Sequence, residues 1–249
     1  AVVLCCRYAS TLSYYDDWEE ALTADGPLDA VLLDIAEPEA PERLKRLMAE
    51  TDVVVALHST NGNSVKFLER CEAVLLKRKT PLVVFVGNEF NSADPGMGLR
   101  EKIALLRKLG VEFIATQLPF EVGRWLYEDV PGARVASIPH GLNPERFRAT
   151  IPQAERRVDI GVRSARYNSL LGDNDRVEIV QRFTGAFNPP LAVDISMDPA
   201  ARLARKEWAV FLNTCRGTIA TQAGSGFLEK DDATVLRAAE YLRQKMSRS

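Results

Sequence analysis

One repeated alternation constrains this chain more than any other feature. Short runs that are apolar at nearly every position are separated by stretches of helical periodicity. A strand with one wet face alternates apolar and polar residues, so a run without alternation is buried on both faces. Helical connections between such runs make βαβ units, and βαβ units make parallel sheets. Strands are expected over 2–6, 29–35, 52–57, 81–86, 111–115 and 134–138. Helices are expected over 14–24, 38–50, 63–77, 98–109 and 119–127. Ser13 is the expected cap of the first, the Gly26-Pro27 pair its stop, and Gly110 the stop of the fourth. Six such repeats make one doubly wound, Rossmann-like α/β domain over residues 1–139.

Residues 140–157 are poor in apolar side chains and carry Gly141, Pro144 and Pro152, which reads as a linker. The rhythm then restarts, with strands expected over 158–162, 191–195 and 217–221 and helices over 174–187, 199–214 and 232–246. Three strands are half of a second Rossmann-like domain, so 158–249 reads as a partial one. The sequence opens at Ala1 inside a strand and closes just after a helical pattern, which reads as a fragment.

Composition removes several classes of function. With 46% apolar residues and a formal net charge of −2, the chain is neither disordered nor built mainly to grip nucleic acid. No apolar run approaches the roughly 18 residues of a membrane-spanning helix, and no export-signal pattern opens the chain. Cys5, Cys6, Cys71 and Cys215 make no C-x-x-C pair and lie far from His58 and His140, so no zinc or redox motif is present. Unpaired thiols in apolar runs point to a reducing, cytoplasmic setting.

In a parallel sheet ligands bind beyond the carboxyl ends of the strands, so the residues there are the candidates. The third strand runs into His58-Ser59-Thr60-Asn61-Gly62-Asn63-Ser64, a polar turn able to hold an anion or sugar hydroxyls, or simply to cap a helix. The fourth runs into Gly87-Asn88-Glu89-Phe90-Asn91-Ser92, where Glu89 is positioned either as a general base or as a solvated loop carboxylate. Both histidines, His58 and His140, follow strands; two so far apart without a carboxylate cluster do not make a metal site.

Later in the chain, Gly161-Val162-Arg163-Ser164-Ala165-Arg166-Tyr167 pairs a strand glycine with two arginines suited to clamp a diphosphate, or to pair with Asp173 and Asp175. The stretch from Gly217 through Thr221 to Gly224 and Ser225 leads into a Gly/Ser-rich turn able to hold a nucleotide. No P-loop is present, and no G-x-G-x-x-G follows the first strand. Trp18, Trp125 and Trp208 sit in helical patterns and are expected to face the core.

Two Rossmann-like units joined by Ser137-Ile138-Pro139-His140-Gly141-Leu142-Asn143-Pro144-Glu145-Arg146-Phe147 resemble the GT-B glycosyltransferases, the retaining family-4-like group in particular. The segment Val158-Asp159-Ile160-Gly161-Val162-Arg163 with Tyr167, and the stretch from Phe211-Leu212-Asn213 to Gly224-Ser225, are similar to the spore-maturation, CgeB-like branch. The resemblance implies transfer of a sugar from a nucleotide-sugar donor to an acceptor in an interdomain cleft, without a metal or other cofactor. It implies that Arg163 and Arg166 hold the donor phosphates, that Tyr167 is donor-binding, and that Gly217, Thr221, Gly224 and Ser225 line the nucleotide. It sets His58, Asn61 and Asn88 on the acceptor side and makes Glu89 and His140 the catalytic candidates. The family's pair of glutamates eight positions apart is not matched, since Glu229 and Glu240 are eleven apart. The competing readings are a non-catalytic two-lobed binding protein, an inactive transferase fragment, or another sugar-nucleotide enzyme such as an epimerase.

Overall fold

The computed structural model describes residues 1–7, 15–24, 28–166, 170, 174–185, 190–221 and 226–247. The cap expected at Ser13 and the stop at Gly26-Pro27 lie outside these residues.

Six strands form one parallel sheet: β1 (Val2–Cys5), β2 (Val31–Asp34), β3 (Val54–Ala56), β4 (Leu82–Phe85), β5 (Phe113–Thr116) and β6 (Arg134–Ser137). Their spatial order is β2-β1-β3-β4-β5-β6. The order reverses between β1 and β3, because Val2 pairs with Val31 on one side and Val54 on the other. The inner runs β1 and β3 are buried on both faces, whereas the edge strands β2 and β6 are partly exposed, and alternate residues feed two cores. Val2, Leu4, Val54, Ala56, Leu82 and Val84 enter one, and Val3, Cys5, Val55, Leu57 and Phe85 the other.

Helices cover both faces: α1 (Asp16–Thr23), α2 (Ala40–Leu47), α3 (Lys66–Arg70), α4 (Glu72–Leu75), α5 (Leu99–Leu109) and α6 (Phe120–Leu126). Helix α5 buries the stripe Leu99, Lys102, Ile103, Leu106 and Leu109 and ends at Gly110, left-handed at φ +59°. The single helix expected over 63–77 is two. The Cys71 N–H turns to the Leu68 carbonyl three residues back, at 3.0 Å, and that tight turn divides α3 from α4. Trp125 is not a core residue: it is 42% exposed, with the Lys230 ammonium 5.3 Å from its ring centre.

A second parallel sheet has the order β8-β7-β9, from β7 (Val158–Arg163), β8 (Val193–Ser196) and β9 (Cys215–Thr218). Its helices are α7 (Asp175–Phe183) and α8 (Arg205–Thr214). The helix expected from 199 opens instead with a short 3-10 turn, Pro199–Ala201, capped by the Asp198 carboxylate on the Ala200 N–H at 2.9 Å. Strand β9 starts directly where α8 stops, two residues before the expected start. Gly161 is required by packing: a Cβ there would lie 2.8 Å from the Phe211 ring and overlap the Cys215 sulfur.

The chain divides into two compact units, one of Ala1–Ala9, Tyr15–Gly141 and Phe227–Ser249, the other including Leu142–Gly226. This differs from the expected organisation twice. Residues 142–157 are not a free linker. The Thr150 N–H bonds to Asn213 at 2.7 Å, and the Arg156 guanidinium reaches the Cys215 carbonyl at 2.9 Å. The C-terminal segment belongs with the first unit rather than the second. Asn91 exchanges two hydrogen bonds with the Glu229 backbone, at 2.7 and 2.8 Å. Asp232, 2% exposed, accepts from Asn91 Nδ2 at 2.8 Å, from Ser92 N at 3.3 Å and from Arg100 N at 2.8 Å.

Asp232 therefore caps the start of α5 from 132 residues away. Gly98 leaves room for it, because a Cβ there would stand 2.6 Å from the carboxylate. The final helix, α9 (Ala233–Met246), begins at this anchor, and Glu229 accepts from the Thr234 N–H at 2.8 Å in its first turn. Asp232→Ala is expected to lower stability by about 2 kcal/mol, since three donors, two of them buried, lose one carboxylate. Urea unfolding followed by tryptophan fluorescence measures it.

Candidate functional site

The strand order reverses between β1 and β3, and in open α/β sheets ligands bind beyond the carboxyl ends at such a point. The turn after β3 is tied on both sides. Ser59 Oγ accepts from Cys6 N after β1 at 3.0 Å. Asn61, buried, accepts from Gly87 N at 2.9 Å and donates to Phe85 O at 3.0 Å. Both hydrogen-bonding ends of Asn61 thus stitch the β3 turn to β4. Asn88 is strained at φ +52° and donates to Asn63 Oδ1 at 2.6 Å. Gly87 is needed for this approach, since a Cβ there would lie 2.6 Å from the His58 carbonyl.

Beneath these turns lies a residue the sequence analysis passed over. Lys102 of α5 is 2% exposed, and its ammonium donates to the carbonyls of Gly62, Gly87 and Asn88 at 3.0, 2.8 and 2.9 Å. All three protons of the head group are used, and the acceptors are the backbone of both strand-end turns. Burial pushes Lys102 down to about 7, while Glu89 and Asp232 nearby hold it up.

Glu89 is not a solvated loop carboxylate. Its oxygens accept from Tyr127 Oη at 2.5 Å, Thr116 Oγ1 at 2.6 Å and Gln117 N at 2.7 Å. Burial raises its pKa, and these three donors and Lys102 oppose the rise. The fully buried Tyr127 is itself raised well above the usual phenol range by burial and by Glu89. Glu89 holds β4, β5 and α6 together, and a carboxylate bonded to three protein donors is poorly placed to take a proton from a ligand.

The two histidines, far apart in sequence, meet. Their ring centres are 4.8 Å apart at 38°. His58 has no exposed surface and is surrounded by Tyr15, Trp18 and Phe85, with ring centres at 5.3, 5.2 and 5.4 Å. Neither of its ring nitrogens has a hydrogen-bond partner among the described residues. Burial, with His140 adding to it, pushes its pKa down to about 3, so it is neutral at physiological pH. His140 is exposed, and its Nδ1 accepts from the Trp18 indole N–H at 3.3 Å. Partial burial lowers its pKa as well.

In the second unit the expected diphosphate clamp is divided. Arg163 pairs with Asp194 through both terminal nitrogens, at 2.9 and 3.0 Å, and its guanidinium lies 4.3 Å from the Phe211 ring centre. The carboxylate that engages it is thus on β8, and a phosphate would have to displace it. Arg166 is exposed just past the end of β7. Thr221 accepts from Arg176 Nε at 3.1 Å. Gly217 has only ordinary contacts where a Cβ would be, so no close backbone approach requires a glycine there. Tyr167, Asp173, Gly224 and Ser225 lie outside the described residues.

No group of three or more His, Cys, Asp or Glu arranged for a metal ion occurs among the described residues, and none of their helices is long and apolar enough to cross a membrane. Comparison with protein-family models, curated proteins and solved structures finds no match.

Proposed function

We propose that this chain transfers a sugar from a nucleotide-sugar donor to an acceptor, as the resemblance to GT-B glycosyltransferases implies. The supporting observation is the presence, in one chain, of two separate parallel sheets, each of which presents its own carboxyl edge. Each such edge is a place for one ligand, and a transfer reaction needs two. The donor is assigned to the second unit. Residues 142–226 carry 12 Lys and Arg against 9 Asp and Glu, while the rest of the chain carries 20 against 25. A cationic excess suits a diphosphate.

On this reading Arg166, with the backbone around Gly217 and Thr221, holds the donor, and the edge carrying Asn88 and His140 meets the acceptor, while His58 and Asn61, expected on the acceptor side, are buried and face inward. Transfer breaks the bond between the anomeric carbon and the phosphate oxygen, and the diphosphate leaves with the electron pair. A new carbon–oxygen bond forms to the acceptor, whose proton passes to the departing diphosphate. Because Glu89 is bonded inward, His140 is the remaining candidate of the two named from sequence, and it meets the acceptor oxygen as a hydrogen-bond donor.

Arg166→Ala is expected to weaken nucleoside diphosphate binding about tenfold, the loss of one charge-assisted contact, without changing stability. Calorimetric titration of both proteins with UDP, GDP and ADP tests this. Equal affinities would remove Arg166 from the site. The inward bonding of Glu89 favours a second reading, a two-unit protein that binds the same ligands without turnover.

A further inference from the structure

We propose that Trp18 is a positioning residue that fixes the protonation state of His140, so that His140 offers a ligand an N–H donor at Nε2 and recognises an acceptor oxygen, a hydroxyl or a phosphoryl group. The inference rests on the reading above only in taking His140 as a ligand-facing residue. Its geometry is a hydrogen bond across 122 residues, from the indole N–H of α1 to Nδ1 of the residue that follows β6 by three positions. An indole N–H is a donor and nothing else, so Nδ1 must keep its lone pair. In the neutral ring the single proton then sits on Nε2.

The surroundings keep the ring in place and uncharged. His58 lies against one face, with ring centres 4.8 Å apart, and the Tyr15 ring centre is 6.0 Å away. The titratable groups facing His140 are therefore Tyr15 from the start of α1 and His58 from the turn after β3. No carboxylate acts on it among the described residues, so nothing there favours an imidazolium; burial acts in the same direction as the indole. Protonation at Nδ1 would break the bond to Trp18 and set a positive charge against His58. A neutral donor in this position discriminates: it pairs with hydroxyl and phosphoryl oxygens and offers nothing to an ammonium or an amide N–H.

The test is a pH titration of the full chain with 15N-labelled histidine, read by NMR in wild type and Trp18→Phe. The phenylalanine retains an aromatic ring and removes the N–H. The wild type should show His140 protonated on Nε2 at pH 7, and the Trp18 indole proton should shift along the His140 titration curve. In Trp18→Phe the protonation constant of His140 should rise roughly three- to tenfold, as loss of one hydrogen bond to the neutral form requires. An unchanged constant, or a wild-type ring protonated on Nδ1 at pH 7, would overturn the proposal. If the variant does not fold, the wild-type tautomer and the coupled indole shift decide the matter alone. None of these readouts depends on sugar transfer, so failure of the transferase reading leaves them intact.

Discussion

Lys102→Met is expected to cost about 2 kcal/mol of stability at pH 7, because three buried carbonyls lose their donor while the cost of burying the ammonium is relieved. Methionine matches the length and flexibility of lysine and fills the same apolar path along α5. What it lacks are the protons for the carbonyls of Gly62, Gly87 and Asn88, which are left buried without that donor. Glu89 and Asp232 lose their nearby cation at the same time. Lys108 of the same helix is the control. It is 58% exposed and pairs with Glu72 at 2.7 Å, so Lys108→Met should change stability by less than about 0.5 kcal/mol. Urea unfolding of both variants gives the comparison, and similar values for the two would show that Lys102 is not a structural clamp.

Acid should destabilise the wild type more than His58→Phe. The pKa of His58 is pushed down from the ordinary 6.5 to about 3 in the folded chain. As pH falls below 6.5 the unfolded chain takes up a proton at this position that the folded chain refuses, and stability is lost with each step. The stability tied to the neutral ring is complete above pH 6.5 and is lost progressively down to about pH 3. The slope is about 1.4 kcal/mol per pH unit, so the difference from the variant should reach about 3 kcal/mol at pH 4. Phenylalanine fits the same aromatic surroundings and carries no nitrogen that lacks a partner, so the variant should match or exceed the wild type at pH 7. Unfolding free energies of both proteins at pH 7, 5 and 4 test this; parallel pH profiles would contradict a buried neutral histidine.

The sheets were legible in the sequence because strands buried on both faces leave a local mark. Every residue of β1, Val2 to Cys5, is apolar, and the structure buries all four. The divided helix over 63–77 was not, because no glycine or proline marks the turn at Cys71. The return of the C-terminal segment was not legible either. Asp232 precedes α9 as an ordinary acidic cap would, and nothing local says that its carboxylate serves the start of α5.

At the candidate site, sequence position found the strand ends but not the direction in which side chains turn. From sequence Glu89 reads as a general base or a solvated loop carboxylate, yet its three donors come from β5, the residue after it and the end of α6. Lys102 did leave a signal. It occupies the stripe of Leu99, Leu106 and Leu109 at spacings of three, four and three, where a solvated lysine does not belong. His58 and His140 each follow a strand, but only the parallel order β3-β4-β5-β6 brings the two ends to one edge. Arg163 and Arg166 look equivalent on the page, and Asp194 separates them.

The most direct test of the transferase reading is the release of nucleoside diphosphate from UDP-, GDP- and ADP-sugars by the full chain, with simple glycosides offered as acceptors. One donor class should be consumed with formation of a new glycoside, and His140→Ala should lower the rate about tenfold, the loss of one hydrogen bond to the acceptor oxygen. Binding of the diphosphates with no release from any donor would contradict transfer and leave the binding-protein reading in its place.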